Sequence, residues 1–260
     1  MNFIKRILVA IVFIPLLLWI YYTGEIWLLC LLGLTTVICT AELLKMFGSS
    51  ARYLNVTLAL ALFASIAINP DFAIPIVFVA LLLNGSDSVI LSKMKGATHR
   101  ISSSLFAICY PAIGFGLLYQ LGAVNQTLIP ILAILIWIVD TFAYFIGMTF
   151  GKHRGIFQCS PKKSLEGFIA GIVFAFAASF AVSKLFPDIY TTKHIILLGI
   201  SAGIFGQFGD LYESVIKRDM GVKDSSNIIP GHGGVLDRFD SILIAAPVLY
   251  ILLIVLEKIM

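Results

Sequence analysis

The chain has 260 residues, of which 60% are hydrophobic and 12% charged, and its mean hydropathy is +1.01. A soluble domain carries about twice that charged fraction, so the composition excludes a disordered chain, an ordinary soluble enzyme and a nucleic-acid binder with a large basic surface. The net charge of +4 becomes informative only once the charges are placed along the chain.

Nine apolar runs follow one another, at roughly residues 4–22, 26–41, 54–69, 72–91, 104–121, 127–150, 168–186, 194–216 and 240–257. At about 20 residues per spanning helix, they predict an all-α, polytopic integral membrane protein with about nine transmembrane helices. The first run follows Lys5 and Arg6. It is long and has no small-residue cleavage site near its end, so it reads as an uncleaved helix. Asn69-Pro70-Asp71 alone joins the third and fourth runs, as a helical hairpin turn. Residues 1–100 hold four spans. Residues 101–260 hold five spans and form the predicted catalytic region. Cys30, Cys39, Cys109 and Cys159 make no CxxC pair, which indicates neither a zinc site nor a disulfide framework.

The 18 Lys and Arg residues orient the chain. With the N-terminus in the cytoplasm, one side holds Lys5, Arg6, Lys45, Arg52, Lys93, Lys95, Arg100, Lys152, Arg154, Lys162, Lys163, Lys217, Arg218, Lys223 and Arg238, which is 15 of the 18. The other side holds Lys184, Lys193 and Lys258, the remaining three. Cytoplasmic loops keep Lys and Arg, so the N-terminus is expected inside and the C-terminus outside. The two longest cytoplasmic loops, about 151–167 and 217–239, are rich in Gly, Pro, Lys, Asp and His. Function is expected there.

Acids inside apolar helices come first among the candidates, because a charge at membrane depth costs about 2.5–3.5 kcal/mol on insertion scales. Asp140 lies in the sixth run, Asp210 and Glu213 near the end of the eighth, and Asp237 and Asp240 at the start of the ninth. These acids, Glu213 and Asp140 above all, have the alternative of a helix-end acid that reaches water. A spacing of three puts Asp237 and Asp240 on one helix face, and Asp210 and Glu213 likewise. Two carboxylate pairs then meet at one cytoplasmic mouth and repel unless cations lie among them. Mg²⁺ suits such a place, since it joins one or two carboxylates to substrate phosphates. Lys217, Arg218, Lys223 and Arg238 fit a polyphosphate ligand there, or serve as positive-inside anchors. In Pro230-Gly231-His232-Gly233-Gly234 the glycines allow close backbone approach to a phosphate, and His232 is placed to bind it or to move a proton. The other loop lacks the GxxxxGK[ST] pattern of a Walker loop. In it Ser164 is expected to cap the seventh helix, with Glu166 in its first turn. The pair Lys162 and Lys163 suits a membrane surface and anionic lipid.

The stretch Ser214-Val215-Ile216-Lys217-Arg218, Lys223-Asp224, and Ile229 through Gly233-Gly234-Val235-Leu236-Asp237-Arg238-Phe239-Asp240 resembles the signature of phosphatidate cytidylyltransferases, also called CDP-diacylglycerol synthases. Asp140, Ala143-Tyr144, Gly147, Gly151-Lys152 and Ser160 through Gly167 resemble that family's second block. The resemblance covers roughly the C-terminal half; the first 100 residues resemble the family only in hydropathy. It implies the reaction CTP + phosphatidic acid → CDP-diacylglycerol + pyrophosphate, in phospholipid biosynthesis. It also implies a cavity open to cytoplasm and lipid, in a bacterial plasma (inner) membrane, and a homodimer. It implies Mg²⁺ at Asp210, Asp237 and Asp240, and it allows a second cation such as K⁺. It implies substrate contacts for Ser214, Lys217 and Asp224. Asp140 is expected to line the cavity or to hold the second cation. Two alternatives are a CTP-using lipid kinase, disfavoured by the His-Gly-Gly-x-x-Asp-Arg-x-Asp run, and an ion-coupled carrier, disfavoured by polar residues gathered on the cytoplasmic side.

Overall fold

An apolar stretch about 20 residues long satisfies all its backbone donors and acceptors internally only as a helix, and eight of the nine runs fall on helices. In the computed structural model, residues 25–49, 52–90, 94–187, 189–229 and 233–259 are described. The first run, residues 4–22, lies outside them. The described helices are α1 (Glu25–Met46), α2 (Arg52–Ile68), α3 (Ala73–Ile90), α4 (Ala97–Val124), α5 (Leu128–Phe150), α6 (Leu165–Leu185), α7 (Thr192–Ile200), α8 (Gln207–Asp219), α9 (Leu236–Phe239) and α10 (Ile242–Ile259). Among the described residues there is no strand. Five helical stretches are long and apolar enough to cross a membrane: α1, α4, α5, α6 and the continuous stretch Thr192–Asp219. Tyr53–Ile68, Pro70–Ser86 and Ile242–Leu256 are shorter apolar helices. Large apolar side chains such as Trp137, Phe145, Val173 and Phe180 point outward, as a lipid solvent favours.

The chain forms two units. The first comprises residues 1–120 with 224–238, and the second residues 121–223 with 239–260. In the first unit, α2 and α3 are joined by the expected hairpin turn, a 3₁₀ turn Pro70–Phe72. Asn69 caps that turn by accepting from the Asp71 N–H. Asn84 on α3 donates to Asn55 on α2 at 2.9 Å, and Gln120 on α4 donates to the Ile66 and Ala67 carbonyls near the end of α2. These polar ties hold apolar helices in register where lipid offers no hydrophobic drive between them.

In the second unit, Phe142 on α5 stacks on Phe174 of α6 with ring centroids 3.7 Å apart. Ser164 caps α6 as expected, accepting from the Gly167 N–H at 3.1 Å. The run 194–216 differs from the simple helix expected of it. A π-helical turn, Ser201–Gly206, interrupts it between α7 and α8. At Gly203 the turn packs closely on α6: a Cβ there would come within 2.8 Å of the Ala175 Cβ. Such turns often occur at functional sites, and this one ends directly before the helix that carries Asp210.

Candidate active site

Asp210 lies in the first turn of α8. Its Oδ2 accepts from the Lys163 ammonium at 2.5 Å. Lys163 stands at the end of the loop that precedes α6, so the pair links loop and helix across 47 residues of sequence. Each side chain keeps about a third of its surface. The Ser214 hydroxyl, one turn along, donates to Asp210 Oδ1 over a long 3.5 Å. On the same helix Lys217 pairs with Glu213 at 3.0 Å. This pair is enclosed: the Glu213 side chain is fully buried and that of Lys217 is 10% exposed. Glu213 is therefore the buried partner of a cation and not an acid that reaches water.

Asp240 occupies the turn ahead of α10, outside that helix. The Ser241 N–H donates to its Oδ1 at 2.6 Å. α8 approaches this turn closely enough that a Cβ on Gly209 would meet the Asp240 carbonyl oxygen at 2.6 Å. Only glycine brings Asp210 and the turn together. The residue keeps part of its surface, but its carboxyl is enclosed by protein atoms. That burial, with the neighbouring Asp210 and Asp140 carboxylates, raises the Asp240 carboxyl to about 7 against the pull of Lys217 and the Ser241 N–H. The second unit therefore gathers Asp210, Asp240 and, farther in influence, Asp140 with Lys163, Ser214 and Lys217. Carboxylates that converge in this way repel one another, and a cation among them would relieve that repulsion.

Asp237 belongs to the first unit. The helix that carries it, α9, ends at Phe239, so helical spacing does not extend from Asp237 to Asp240. Asp237 Oδ2 accepts from the Ser225 N–H at 2.9 Å, the Ser225 hydroxyl at 3.0 Å and the Gly234 N–H at 2.7 Å. It thereby ties together both ends of the loop that runs from Ser225 to Gly234. Gly233 in this loop adopts φ +85°, a conformation open to glycine. His232 lies outside the described residues.

The remaining candidates are solvent-accessible side chains. Lys162, Lys223, Asp224 and Arg238 are exposed. Arg218 is also exposed and donates to the Val222 carbonyl at 2.8 Å, which closes the end of α8. Asp140 is exposed on α5. Sequence reading passed over Glu42, a buried acid of α1 with 2% exposure. Its signal was present: Glu42 is a lone acid at the end of an apolar run.

Among the described residues, no three His, Cys, Asp or Glu side chains stand close enough to hold a metal ion by themselves. Asp210 and Asp240 do fit an ion of the hard, oxygen-preferring kind that takes one or two carboxylates and completes its shell with substrate phosphates and water.

The description "Cytidylyltransferase family" belongs to a family model that matches residues 4–256. A phosphatidate cytidylyltransferase of Staphylococcus aureus (strain COL) is 34% identical over 261 residues, which covers 96% of this chain and 97% of that one. Phosphatidate cytidylyltransferases of Staphylococcus epidermidis (strain ATCC 12228) and Staphylococcus saprophyticus are each 40% identical over 166 residues. In those two comparisons the match spans 64% of this chain and 64% of the relative's length.

Proposed function

This chain belongs to the cytidylyltransferase family, and on that premise we propose that it converts CTP and phosphatidic acid to CDP-diacylglycerol and pyrophosphate. The observation that supports the reading most is the gathering of Asp210, Asp240, Lys163 and Lys217 at one place in the second unit. Mixed carboxylates and ammonium groups beside a membrane suit the meeting of two phosphate-bearing substrates.

The reaction is an in-line displacement. A phosphate oxygen of the lipid bonds to the α-phosphorus of CTP as the bond to the pyrophosphate oxygen breaks. The lipid phosphate is already anionic near pH 7, so no strong general base is required. The barrier lies in bringing two anions together and in the charge that grows on the leaving group. Positioning and fixed charge lower such a barrier. Lys217, held rigidly beside Glu213, presents a preset cation to phosphate oxygens. Lys163 exchanges its contact with Asp210 for one with substrate phosphate, and Ser214 orients the Asp210 carboxylate. Mg²⁺, when bound by Asp210 and Asp240, supplies charge neutralisation for phosphate oxygens.

Contacts of Arg218, Lys223, Asp224, His232, Gly233, Gly234 and Arg238 with CTP, and of Lys162 with anionic lipid, rest on the resemblance and on residue type. So do Asp237 as a further ligand of Mg²⁺ and Asp140 as a cavity residue beside a second cation such as K⁺. The reading extends to nine spans with the N-terminus and the catalytic residues on the cytoplasmic side of a bacterial inner membrane, and to a homodimer. Product analysis tests the function: purified protein with α-³²P-CTP, phosphatidate and Mg²⁺ forms a labelled liponucleotide, and EDTA or omission of lipid prevents it.

A further inference from the structure

Helix α9 begins at Leu236, and Val235 before it has no side-chain oxygen to accept from the first helical N–H groups. Unpaired buried donors are costly, so another group must supply the acceptor. It comes from α1. Glu42 Oε1 accepts from the Val235 N–H at 3.0 Å, and Oε2 from the Leu236 N–H at 2.8 Å. The same carboxylate accepts from the hydroxyl of Ser226 at 2.5 Å and from that of Ser225 at 2.9 Å, whose one proton it shares with Asp237 Oδ2 at 3.0 Å. Four donors from the two ends of one loop thus converge on a single acid that is 2% exposed. Gly234 leaves room for it, since a Cβ there would come within 2.6 Å of Glu42 Oε1. Asp237 grips the same loop at Ser225 and Gly234, so two carboxylates hold it from two directions.

The loop carries the glycine-rich segment to which the family reading assigns contact with CTP. We propose that Glu42 is a positioning residue for nucleotide binding: it caps α9 from another helix and holds Ser225 and Ser226 against Val235 and Leu236, without itself touching substrate. The role rests on the function proposed above. It accounts for an acid in a membrane helix that no ion pair among the described residues explains, and for Gly234 as packing space for that acid.

The test uses the full-length protein and Glu42→Gln, which keeps the side chain's shape but turns an N–H₂ toward donors. Hydrogen exchange is read without nucleotide on peptides covering 225–236, and CTP and phosphatidate kinetics are read alongside. Loss of a capping interaction is worth roughly a five- to tenfold change in a local equilibrium. Exchange of the Val235 and Leu236 amides and KM for CTP are both expected to rise by about that factor, with KM for phosphatidate unchanged. Ser226→Ala, which removes one donor and no buried charge, is expected to move both readouts in the same direction by less, and it carries the test if Glu42→Gln does not fold. Wild-type exchange and wild-type KM for CTP in the folded variants overturn the proposal. So does a fall in kcat alone with KM unchanged, the mark of a merely smaller active fraction. A wild-type protein that transfers no cytidylyl group overturns the functional reading instead, and the exchange measurement still decides whether Glu42 sets the loop.

Discussion

The ammonium of Lys163 lies 2.5 Å from Asp210 Oδ2, so a loop lysine serves as counter-ion to a membrane-helix acid. Both groups keep about a third of their surface, and half-exposed pairs contribute little to stability, about 0–1 kcal/mol. Lys163→Met is therefore expected to leave the unfolding temperature in detergent nearly unchanged. Turnover should fall at least about tenfold, as loss of a positioned cation at a phosphoryl centre requires. Unaltered turnover in the folded variant would leave the contact without a catalytic part.

The enclosed pair Glu213–Lys217 behaves differently. Removing one partner strands a buried charge, at a cost of about 3–5 kcal/mol. Lys217→Met alone is expected to reduce the yield of folded protein. Glu213→Leu combined with Lys217→Met is expected to recover folding, since two apolar groups of similar volume can replace a buried pair. The double variant should still fail to transfer the cytidylyl group. Size-exclusion profiles and thermal unfolding check the first two outcomes, and the transfer assay checks the third.

Gly209 is where α8 meets the turn that holds Asp240. A methyl group there would stand 2.6 Å from the Asp240 carbonyl oxygen, and backbone cannot yield as a flexible side chain does. Gly209→Ala is expected to destabilise the protein by about 1–3 kcal/mol. It should also separate the two acids, so that activity falls more than stability alone would explain. Activity measured well below the unfolding temperature distinguishes the two effects.

Asp240→Asn removes one of the two carboxylates proposed to hold Mg²⁺. Turnover is expected to drop roughly 10²–10³-fold, with Mn²⁺ binding, followed by electron paramagnetic resonance, weakened in parallel. Wild-type Mn²⁺ binding by this variant would exclude Asp240 as a ligand.

Much of the chain was legible because a membrane helix announces itself. Eight apolar runs fall on helices, and Ser164 is the cap expected ahead of the seventh run, with Glu166 in the first turn. Asp210 and Asp240 were marked by the cost of placing an acid in an apolar setting, and the structure brings them together. What escaped depends on pairing between distant segments. Glu42 meets Ser225 across 183 residues, and Lys163 meets Asp210 across 47; no local spacing carries either contact. Lys163 read alone suited a lipid surface, and its contact with Asp210 was not foreseen. The π-helical turn escaped for a related reason. It lies where Gly203 packs closely against Ala175, a contact between two helices that no single run displays.

The most direct test of the account follows the two ends of CTP separately. The purified protein receives phosphatidate and Mg²⁺ with CTP labelled at the α- or at the γ-phosphorus. The account requires α-label in the lipid product and γ-label in pyrophosphate, in equal amounts, only when lipid and metal are both present. Transfer of γ-label to lipid, or release of label that does not depend on phosphatidate, would contradict it.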